Sequence, residues 1–342
     1  GFEYAWHGVR VCVPCKTLNL TFAAQECVLK KFVGSLQEEY LSSASATENC
    51  DITKQQVAYT VARIEQANVT RTPYPHFHLT DVFHPQVYTC IQAMMPTSDK
   101  IYSKLEGRSN RFSVQLREEG EDGGLLRGPH NGEFKNFVPI PSSSKHINVT
   151  FWTRFPDAFS SPAVTRAYLN KMRATLQLRL QANPKIFTLP KKKSHEQMPA
   201  WDKSLDMLMG SVHWNMALNR DKSGYEIAPH TDADRKYVTV LYYLPPIDTN
   251  IPLSSGTCVM RSKMGKTQKR GSTRMNRNEF DLVEQAPFLP NSVFVFAACD
   301  ASWHAVAELR GSYTRDSIQA FIRDNDKGAK KGTCPTLDES FL

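Results

Sequence analysis

A histidine and an aspartate lie two positions apart at His230 and Asp232, and a second histidine, His304, follows much later in the chain. On an extended strand, residues two apart project from the same face, so the first imidazole and the carboxylate point to one place. Two imidazoles and one carboxylate form a ligand set that binds Fe(II) on one side and leaves the other coordination positions open. The sequence therefore predicts a mononuclear metal site with these three ligands.

Arg315 and Ser317 come shortly after His304 and are again two positions apart. A guanidinium can pair with a carboxylate through two parallel hydrogen bonds, and a hydroxyl can add a third. The two residues therefore predict a carboxylate-binding site near the metal. A single His-x-Asp pair occurs by chance in many proteins, but the ordered set of five residues is far more specific. The alternative is that His230 and Asp232 form a surface pair that binds no metal.

Short strands must bring these residues together. Alternating or β-branched stretches, separated by turn residues, predict strands throughout the second half of the chain. They lie at 211–218, 227–232, 237–244, 256–260, 292–298, 303–306 and 317–322. Many short strands with long loops and flanking helices predict a mainly β fold. Its core is expected to be a double-stranded β-helix, a cupin-like jelly roll.

The chain is expected to have three parts. Residues 1–72 are predicted to be a helical, cysteine-containing segment packed on the core, with apolar residues at helical spacing over 22–40 and a second helix over 53–68. Residues 73–325 form the predicted jelly-roll domain, and residues 326–342 form a C-terminal tail. A further helix is predicted over 161–182, where Ser161 can cap the helix and Pro162 suits its first turn.

The amino-acid composition is that of a globular protein. The chain has 342 residues, of which 41% are hydrophobic and 22% are charged, as in a globular protein with a large core. No run of about 18 apolar residues occurs, so no membrane span is expected. The net charge of +8 fits either nucleic acid or an anionic substrate. Because the basic residues are not interleaved with aromatic ones in a recognition motif, we expect no nucleic-acid partner.

Eight cysteines are placed unevenly along the chain. Half of them fall in the first fifty residues and predict a segment stapled by disulfides, namely Cys12, Cys15, Cys27 and Cys50. Cys258 and Cys299 lie in apolar strand contexts and are predicted to be buried free thiols. The cysteines and three N-x-S/T triplets, at Asn19, Asn68 and Asn148, suggest a eukaryotic secretory or organellar route, with the cytoplasm as the alternative.

A second pair of histidines, His76 and His78, also has the spacing of two metal ligands on one strand face. Nothing near them in the sequence completes a site. Histidines on strands more often form hydrogen bonds with neighbouring groups, and that is the role we expect here.

The ordered set of five residues resembles the pattern of the Fe(II)- and 2-oxoglutarate-dependent dioxygenase family. The resemblance extends over roughly residues 73–325. It includes the segments at 224–232, 242–245, 256–257, 290–292 and 302–304, and the residues at 75–77 and 81–83 are similar to the opening of the domain in one branch of the family. The first seventy residues resemble no family.

The resemblance implies a cofactor set and a mechanism. Fe(II) would be bound by His230, Asp232 and His304, with no further catalytic residue beyond these ligands. The cosubstrate 2-oxoglutarate would chelate the iron and place its distal carboxylate against Arg315 and Ser317. Molecular oxygen would be the second cosubstrate, succinate and CO2 would be released, and ascorbate would support activity. The substrate would lose hydrogen from a carbon atom and be hydroxylated, cyclised or desaturated.

Two more residues, Asn219 and Tyr243, lie on predicted strands that can bring them to the cosubstrate. Ordinary roles as strand and core residues are equally compatible with their positions. A basic segment at 261–277 lies between two predicted strands. Some of its cations are expected to form a mobile lid that attracts a carboxylated substrate: Arg261, Lys263, Lys266, Lys269, Arg270 and Arg274. A solvated loop with no such role is the alternative.

The favoured substrate is a small, carboxylated metabolite derived from an amino acid. It would be hydroxylated, or cyclised as in the oxidative ring closure of algal kainoid synthases, and the enzyme would then serve biosynthesis. Peptidyl-prolyl or lysyl hydroxylation in a secretory compartment is a second hypothesis, favoured by the cysteines and the sequons. Nucleic-acid demethylation is suggested only by the net charge. A non-catalytic jelly roll that binds a sugar or a peptide is the alternative outside enzymology.

Overall fold

Two facing β-sheets form the centre of the molecule in this computed structural model. The structure describes residues 3–6, 9–12, 50–104, 110–118, 147–183, 201–247, 250–269, 271–324 and 330–335. The first two strands, β1 (Glu3–Trp6) and β2 (Val9–Cys12), pair with each other in a small separate sheet. The apolar stripe predicted over 22–40, the side chains of Cys12, Cys15 and Cys27, and Asn19 lie outside the described residues.

The remaining strands follow one another along the chain with helices between the early ones. They are β3 (His76–Thr80), β4 (Ser103–Lys104), β5 (Arg111–Glu118), β6 (His213–Asp221), β7 (Ile227–His230), β8 (Lys236–Tyr243), β9 (Thr257–Ser262), β10 (Phe280–Gln285), β11 (Ser292–Ala297), β12 (His304–Val306) and β13 (Arg315–Arg323). The large sheet has the order β3-β11-β8-β13-β6-β5-β4, and the small sheet has the order β10-β9-β12-β7.

From β6 to β13 the chain passes repeatedly between the two sheets. Strands β6, β8, β11 and β13 belong to the large sheet, whereas β7, β9, β10 and β12 belong to the small one. All of the pairings among them are antiparallel. A chain that alternates between two antiparallel sheets in this way is a double-stranded β-helix. The predicted jelly-roll core is therefore confirmed.

The two faces of the large sheet differ in polarity because successive side chains point to opposite sides of a strand. One face carries an apolar row in cross-strand register and belongs to the hydrophobic core shared with the helices: Val114, Leu218, Ile318, Tyr242 and Val293. The adjacent row on the other face is polar: Ser113, Asn219, Ser317, Tyr243 and Ser292. This second face lines the interior of the barrel.

Helices pack on the apolar face of the large sheet. They are α1 (Lys54–Gln66), α2 (Pro85–Ala93), α3 (Val149–Phe159), α4 (Pro162–Lys171), α5 (Arg173–Ala182) and α6 (Trp201–Ser211). Helix α1 lies within the predicted range 53–68 and begins with a capping box between Thr53 and Gln56. The prediction of one continuous helix over 161–182 is wrong, because Met172 has φ −97° and ψ 13° and separates α4 from α5.

Two disulfides connect described parts of the chain. Cys50 is bonded to Cys90, and Cys299 is bonded to Cys334. The prediction of Cys299 as a free thiol is wrong because residues 330–335 return to the end of β11 and bring Cys334 against it. Cys258 is a buried free thiol, as expected. Among the described helices, none has both the length and the apolar character needed to cross a membrane.

Candidate metal centre

The three predicted ligands come from two neighbouring strands of the small sheet. His230 ends β7 and His304 begins β12, and the two residues are directly opposite each other in the antiparallel register. Their ring centroids are 4.2 Å apart. Asp232 follows His230 by two residues, and one ligand atom from each residue lies within 4.8 Å of the others. The structure thus brings the predicted triad together inside the barrel, with Asp232 and His304 buried.

Both imidazoles present the same nitrogen to the centre of the triad. Nδ1 of His230 is 3.0 Å from the carbonyl oxygen of Ala228, and Nδ1 of His304 is 3.1 Å from the carbonyl oxygen of Ser302. A carbonyl oxygen only accepts hydrogen bonds, so each Nδ1 carries the proton and each Nε2 keeps its lone pair. Metal-binding histidines are oriented by such a bond from the distal nitrogen.

The charges of the triad also fit a divalent metal. Burial and the neighbouring His304 lower the pKa of His230 well below its ordinary value, and burial lowers the pKa of His304 as well. Both rings are therefore neutral near pH 7, as a metal ligand must be. Burial works against ionisation of Asp232, but the Lys236 ammonium holds the pKa of its carboxyl group well below the usual range. The site offers two neutral nitrogens and one negative charge.

Two side chains fix the Asp232 carboxylate. Lys236 donates from Nζ to Oδ1 at 2.7 Å, and Thr239 donates from Oγ1 to Oδ2 at 2.5 Å. The Lys236 ammonium also lies 3.7 Å from the centre of the Phe321 ring. Oδ2 is 4.0 Å from Nε2 of His304 and so faces the histidines. The ligands are thus two imidazoles and one carboxylate whose orientation is fixed by hydrogen bonds. This set of donor atoms fits Fe(II).

The second histidine pair has a different role. Nδ1 of His76 is 2.7 Å from the carbonyl oxygen of Tyr74, and Nε2 is 3.4 Å from Oε2 of Glu284. These contacts agree with the expected hydrogen-bonding role for His76. None of the residues that the structure describes forms a hydrogen bond with the buried Nε2 of His78. In the described part of the chain, the triad is the one cluster whose ligand atoms converge closely enough for a metal.

A cluster of two arginines and one aspartate lies on the same inner face of the large sheet. Asp221 on β6 is in register with Arg111 on β5 and with Arg315 on β13. Arg111 binds Asp221 through Nε at 2.6 Å and Nη2 at 2.8 Å, while Nη1 of Arg315 is 2.8 Å from Oδ2 of the same carboxylate. All three side chains are buried. Two guanidiniums and one carboxylate leave one positive charge uncompensated within this cluster.

Arg315 has further neighbours that hold it in the barrel. Its Nε donates to the carbonyl oxygen of Ser255 at 2.6 Å. The guanidinium carbon lies 5.5 Å from the centre of the Tyr243 ring and 5.3 Å from that of Phe288. Aromatic faces at this distance attract a cation. Arg315 is therefore oriented by protein groups while its cluster keeps a net positive charge.

The other predicted cosubstrate residues lie in one row with Ser317. Both Asn219 and Tyr243 are in register with Ser317 on the neighbouring strands. The Tyr243 hydroxyl donates to Oγ1 of Thr257 at 2.7 Å and accepts from the Thr257 amide at 3.0 Å. The Asn219 carbonyl oxygen accepts a short hydrogen bond from Ser113. Both residues thus make internal hydrogen bonds, and their role at the cosubstrate stays a prediction.

The structure adds site residues that the sequence did not reveal. Asp221 lies two positions after Asn219 on β6, so period-two alternation could have pointed to it. Arg111 is far from both in the sequence and gave no signal. Lys236 lies between the predicted strands 227–232 and 237–244, so strand periodicity gave no signal for it. Lys331, in the predicted C-terminal tail, also contacts Thr231 and Asp232 in the turn from His230 to Asp232, which we call the metal-ligand turn.

The basic segment begins in the last two residues of β9 and ends shortly before β10. Arg261, Lys263 and Arg274 are exposed, and Arg270 is outside the described residues. Lys263 donates to the carbonyl oxygen of Asn278 at 3.0 Å. Their predicted role in substrate binding stays a prediction.

Part of the same segment is fastened to the strand that carries His230. Ser272 donates from Oγ to the Thr231 carbonyl oxygen at 2.6 Å, and the Met275 amide donates to the Pro229 carbonyl oxygen at 2.8 Å. Thr231 lies between His230 and Asp232 and therefore points away from them. Because β7 is the last strand of the small sheet and its backbone carbonyls point along the plane of that sheet, this part of the segment lies along the edge of β7.

Comparisons with known proteins give only distant similarities. No family model matches the chain, and no curated protein matches it. Among solved structures, a prolyl-4-hydroxylase from Pseudomonas putida is similar with a TM-score of 0.34 and 12% identity, over 79% of this chain and 100% of that one. A 2OG-Fe(II) oxygenase family oxidoreductase from Burkholderia pseudomallei has a TM-score of 0.38 and 11% identity, over 83% and 97%. HygX from Streptomyces hygroscopicus, solved with nickel and 2-oxoglutarate, has a TM-score of 0.35 and 9% identity, over 80% and 88%.

Proposed function

We propose that the protein is an Fe(II)- and 2-oxoglutarate-dependent oxygenase. It oxidises an unactivated C–H bond of a small, carboxylated, amino-acid-derived metabolite and releases succinate and CO2. The observation that carries this proposal is the convergence of His230, Asp232 and His304, with both Nδ1 protons directed at backbone carbonyls. When bound, the metal and 2-oxoglutarate supply the oxidising chemistry with molecular oxygen, and the protein supplies ligands, orientation and a dry site.

The chain's own groups prepare the metal ligands. His230 and His304 hold their Nε2 lone pairs toward one point because their Nδ1 protons are already donated. Lys236 and Thr239 fix the rotation of the Asp232 carboxylate. A ligand set that needs little rearrangement binds its metal with less loss of side-chain entropy.

Arg315 is the residue that we assign to the distal carboxylate of 2-oxoglutarate. Arg111 already binds both oxygens of Asp221, so the remaining positive charge of the cluster is available to an anion. An uncompensated buried charge is costly, and a bound carboxylate removes that cost. Ser317 lies two residues from Arg315 on the same face of β13, where its hydroxyl can add a hydrogen bond.

The distance from the metal ligands to Arg315 along the barrel suits a dicarboxylate. Thr239, which contacts Asp232, and Tyr243, whose ring faces Arg315, are four residues apart on β8. At 3.3 Å per residue, they are roughly 13 Å apart. The aspartate and arginine side chains cover part of that span, and a short dianion can cover the rest. Apolar side chains from the same interior exclude water: Leu241, Phe288, Phe294 and Phe296.

The substrate class is supported by the surroundings of His304. Val259 on β9 is in register with His304, and Arg261 lies two residues further on the same face. Its exposed guanidinium can attract a carboxylate next to the metal centre. Oxidative cyclisation, as in kainoid synthesis, and hydroxylation are both compatible with such a substrate.

A second candidate is peptidyl-prolyl or lysyl hydroxylation in a secretory compartment. The bonds Cys50–Cys90 and Cys299–Cys334 favour an oxidising environment for the folded chain. We therefore propose a secretory or organellar location for either candidate. An exposed arginine beside the metal centre favours the small carboxylated substrate over the peptide.

The test is a coupled assay with purified protein, Fe(II), 2-oxoglutarate and ascorbate. We expect Fe(II)-dependent succinate release that increases with the correct substrate in a panel of carboxylated amino-acid derivatives and proline- or lysine-containing peptides. Mass spectrometry of the product separates a gain of one oxygen atom from a loss of two hydrogen atoms. Absence of both divalent metal binding and succinate release would overturn the oxygenase proposal. Succinate release that increases only with the peptides would favour the second candidate.

A further inference from the structure

Lys331 contacts the metal-ligand turn from the side opposite to the metal. Its side chain is buried, with 1% of the residue exposed. Nζ donates to Oγ1 of Thr231 at 2.6 Å, to the carbonyl oxygen of Asp232 at 2.6 Å and to the carbonyl oxygen of Gly271 at 2.7 Å. An ammonium has three N–H donors, so these three contacts use all of them.

A buried lysine is expensive to place unless all of its donors are used. Burial lowers the pKa of Lys331 to about 8. Two of its three acceptors belong to Thr231 and Asp232, that is, to the turn between the ligands His230 and Asp232. Asp232 is thus held on both sides, by Lys236 and Thr239 at its carboxylate and by Lys331 at its carbonyl.

Residues 330–335, which we call the C-terminal strap, are fastened at several points. Asn183 donates from Nδ2 to the Lys330 carbonyl at 2.6 Å and accepts from the Lys330 amide at 2.7 Å. The Gly332 carbonyl accepts from the Asp300 amide at 3.0 Å. A Cβ at Gly332 would lie 2.6 Å from the backbone of Arg179, so the strap passes close to α5.

The far end of the strap is covalently fixed. The Cys334 amide donates to Oδ1 of Asp300 at 3.0 Å, and its sulfur is bonded to Cys299. Cys299 follows β11, whose residue Phe296 packs against the His304 ring with centroids 4.5 Å apart. The disulfide therefore joins the strap to the part of the barrel that also supports the third ligand.

We infer that Lys331 is a positioning residue of the metal centre, which fixes the backbone of Asp232, and that the Cys299–Cys334 disulfide anchors the strap that carries it. The inference rests on the proposed function in one respect, namely that the triad binds a divalent metal. Metal affinity is then linked to the redox state of this disulfide, because loss of the bond loosens the strap that carries Lys331.

The test is a titration of the metal-free protein with Co(II), followed by its visible absorption. Lys331→Met keeps an unbranched side chain of nearly the same length and removes the ammonium. We expect it to weaken Co(II) binding by about 10- to 100-fold, the range for groups that orient metal ligands. Lys330→Met is the matched control, since Lys330 is the exposed neighbour on the same strap, and its affinity should equal that of the wild type.

Two more variants loosen the strap and keep Lys331. Cys334→Ser removes the covalent anchor, and Asn183→Ala removes the pair of bonds to Lys330. Both should weaken Co(II) binding by less than Lys331→Met, whereas Cys50→Ser, which opens the other disulfide, should leave the affinity unchanged. Circular dichroism confirms that each variant is folded at the titration temperature.

The outcomes separate this inference from the proposed function. Wild-type Co(II) affinity in folded Lys331→Met overturns the positioning role, whatever happens to its melting temperature. If that variant does not fold, wild-type affinity in both Cys334→Ser and Asn183→Ala overturns it instead. Failure of the wild-type protein itself to bind Co(II) overturns the metal site and the proposed function with it.

Discussion

The side chains at the two ends of the barrel interior are held in place by different kinds of interaction. The metal end consists of His230, Asp232 and His304, and each of its groups is held by a partner that leaves the ligand atom available. The arginine end consists of Arg111, Asp221 and Arg315, whose charges are paired with one another. Backbone carbonyls orient the two histidines of the metal end and two side chains orient its aspartate, whereas cross-strand pairing orients the arginine end.

The difference concerns charge as well as geometry. The three ligands of the metal end carry one negative charge, which the Lys236 ammonium balances, so a divalent ion leaves this end with two net positive charges. The arginine end has one net positive charge without any ligand. A dianion with one carboxylate at each end lowers the positive charge at both ends, whereas a monoanion lowers it at only one. The proposed selectivity for 2-oxoglutarate thus depends on a balance across the interior rather than on a single residue.

The largest effect is expected from His304→Ala, which removes one ligand of the metal end. Co(II) affinity should fall by more than about 100-fold, above the range for groups that only orient ligands, and succinate release should be lost. Absorption titration and the coupled assay measure the two effects. His84→Ala is the control, because His84 caps α2 away from the barrel interior and should retain both properties. Unchanged Co(II) binding by His304→Ala would contradict the assigned metal end.

Arg315→Gln should impair the arginine end and leave the metal end intact. Loss of a charge-assisted hydrogen bond costs about 1.5–3 kcal/mol, so KM for 2-oxoglutarate should rise by roughly 10- to 100-fold while Co(II) affinity is kept. The fold should survive, because Arg111 still binds both oxygens of Asp221.

Arg220→Gln provides the matched control for that experiment. Arg220 lies on β6 one residue before Asp221 and pairs with Asp316 on the other face of the sheet, at 2.8 Å from Nε to Oδ1. Its KM for 2-oxoglutarate should equal that of the wild type. An Arg315→Gln protein with wild-type KM would remove the arginine end from the cosubstrate site.

The sequence was sufficient for the triad because two of its residues are close in the chain and the third belongs to an ordered pattern. His230 and Asp232 share a face through the two-residue period of a strand, whereas His304, 72 residues after Asp232, was found through its place in the ordered set of five residues. The jelly-roll core was predictable from local sequence, since β-branched and alternating stretches define most of its strands.

The arginine end could not be predicted in the same way. Arg111 and Asp221 meet only because β5 lies beside β6, and strand pairing over such a separation has no local signal. The disulfide between Cys299 and Cys334 depends on a return of the chain that composition does not encode. The break at Met172 was hidden because apolar residues continue at helical spacing across it, although its backbone is not helical.

Arg111→Met is expected to have a smaller effect on the KM for 2-oxoglutarate. Without Arg111, Asp221 neutralises Arg315, and the arginine end has no net charge. KM for 2-oxoglutarate should rise, but less than in Arg315→Gln, because the guanidinium of Arg315 is still present. Breaking a buried ion pair also costs about 3–5 kcal/mol, so urea unfolding should show reduced stability. An unchanged KM in the folded variant would show that net charge does not matter at this end.

The smallest effect concerns His78, which lies between the two ends. His78 on β3 is in register with Phe294, and Phe294 with Leu241, which is midway between Thr239 and Tyr243 on β8. Burial lowers the pKa of His78 to about 4 from an ordinary value of 6.5. Between these values the unfolded chain binds a proton that the folded chain resists, so stability falls as the pH falls from about 6.5 to about 4.

The contribution of His78 at pH 5 is on the order of 1–2 kcal/mol relative to neutral pH. Urea unfolding of the metal-free protein at pH 7.5 and pH 5 measures the loss, and His78→Gln should reduce it. A neutral group midway between the ends adds no charge to the interior, whereas a protonated His78 adds a further positive charge. A His78→Gln protein with the same loss between the two pH values would place the acid sensitivity elsewhere in the barrel.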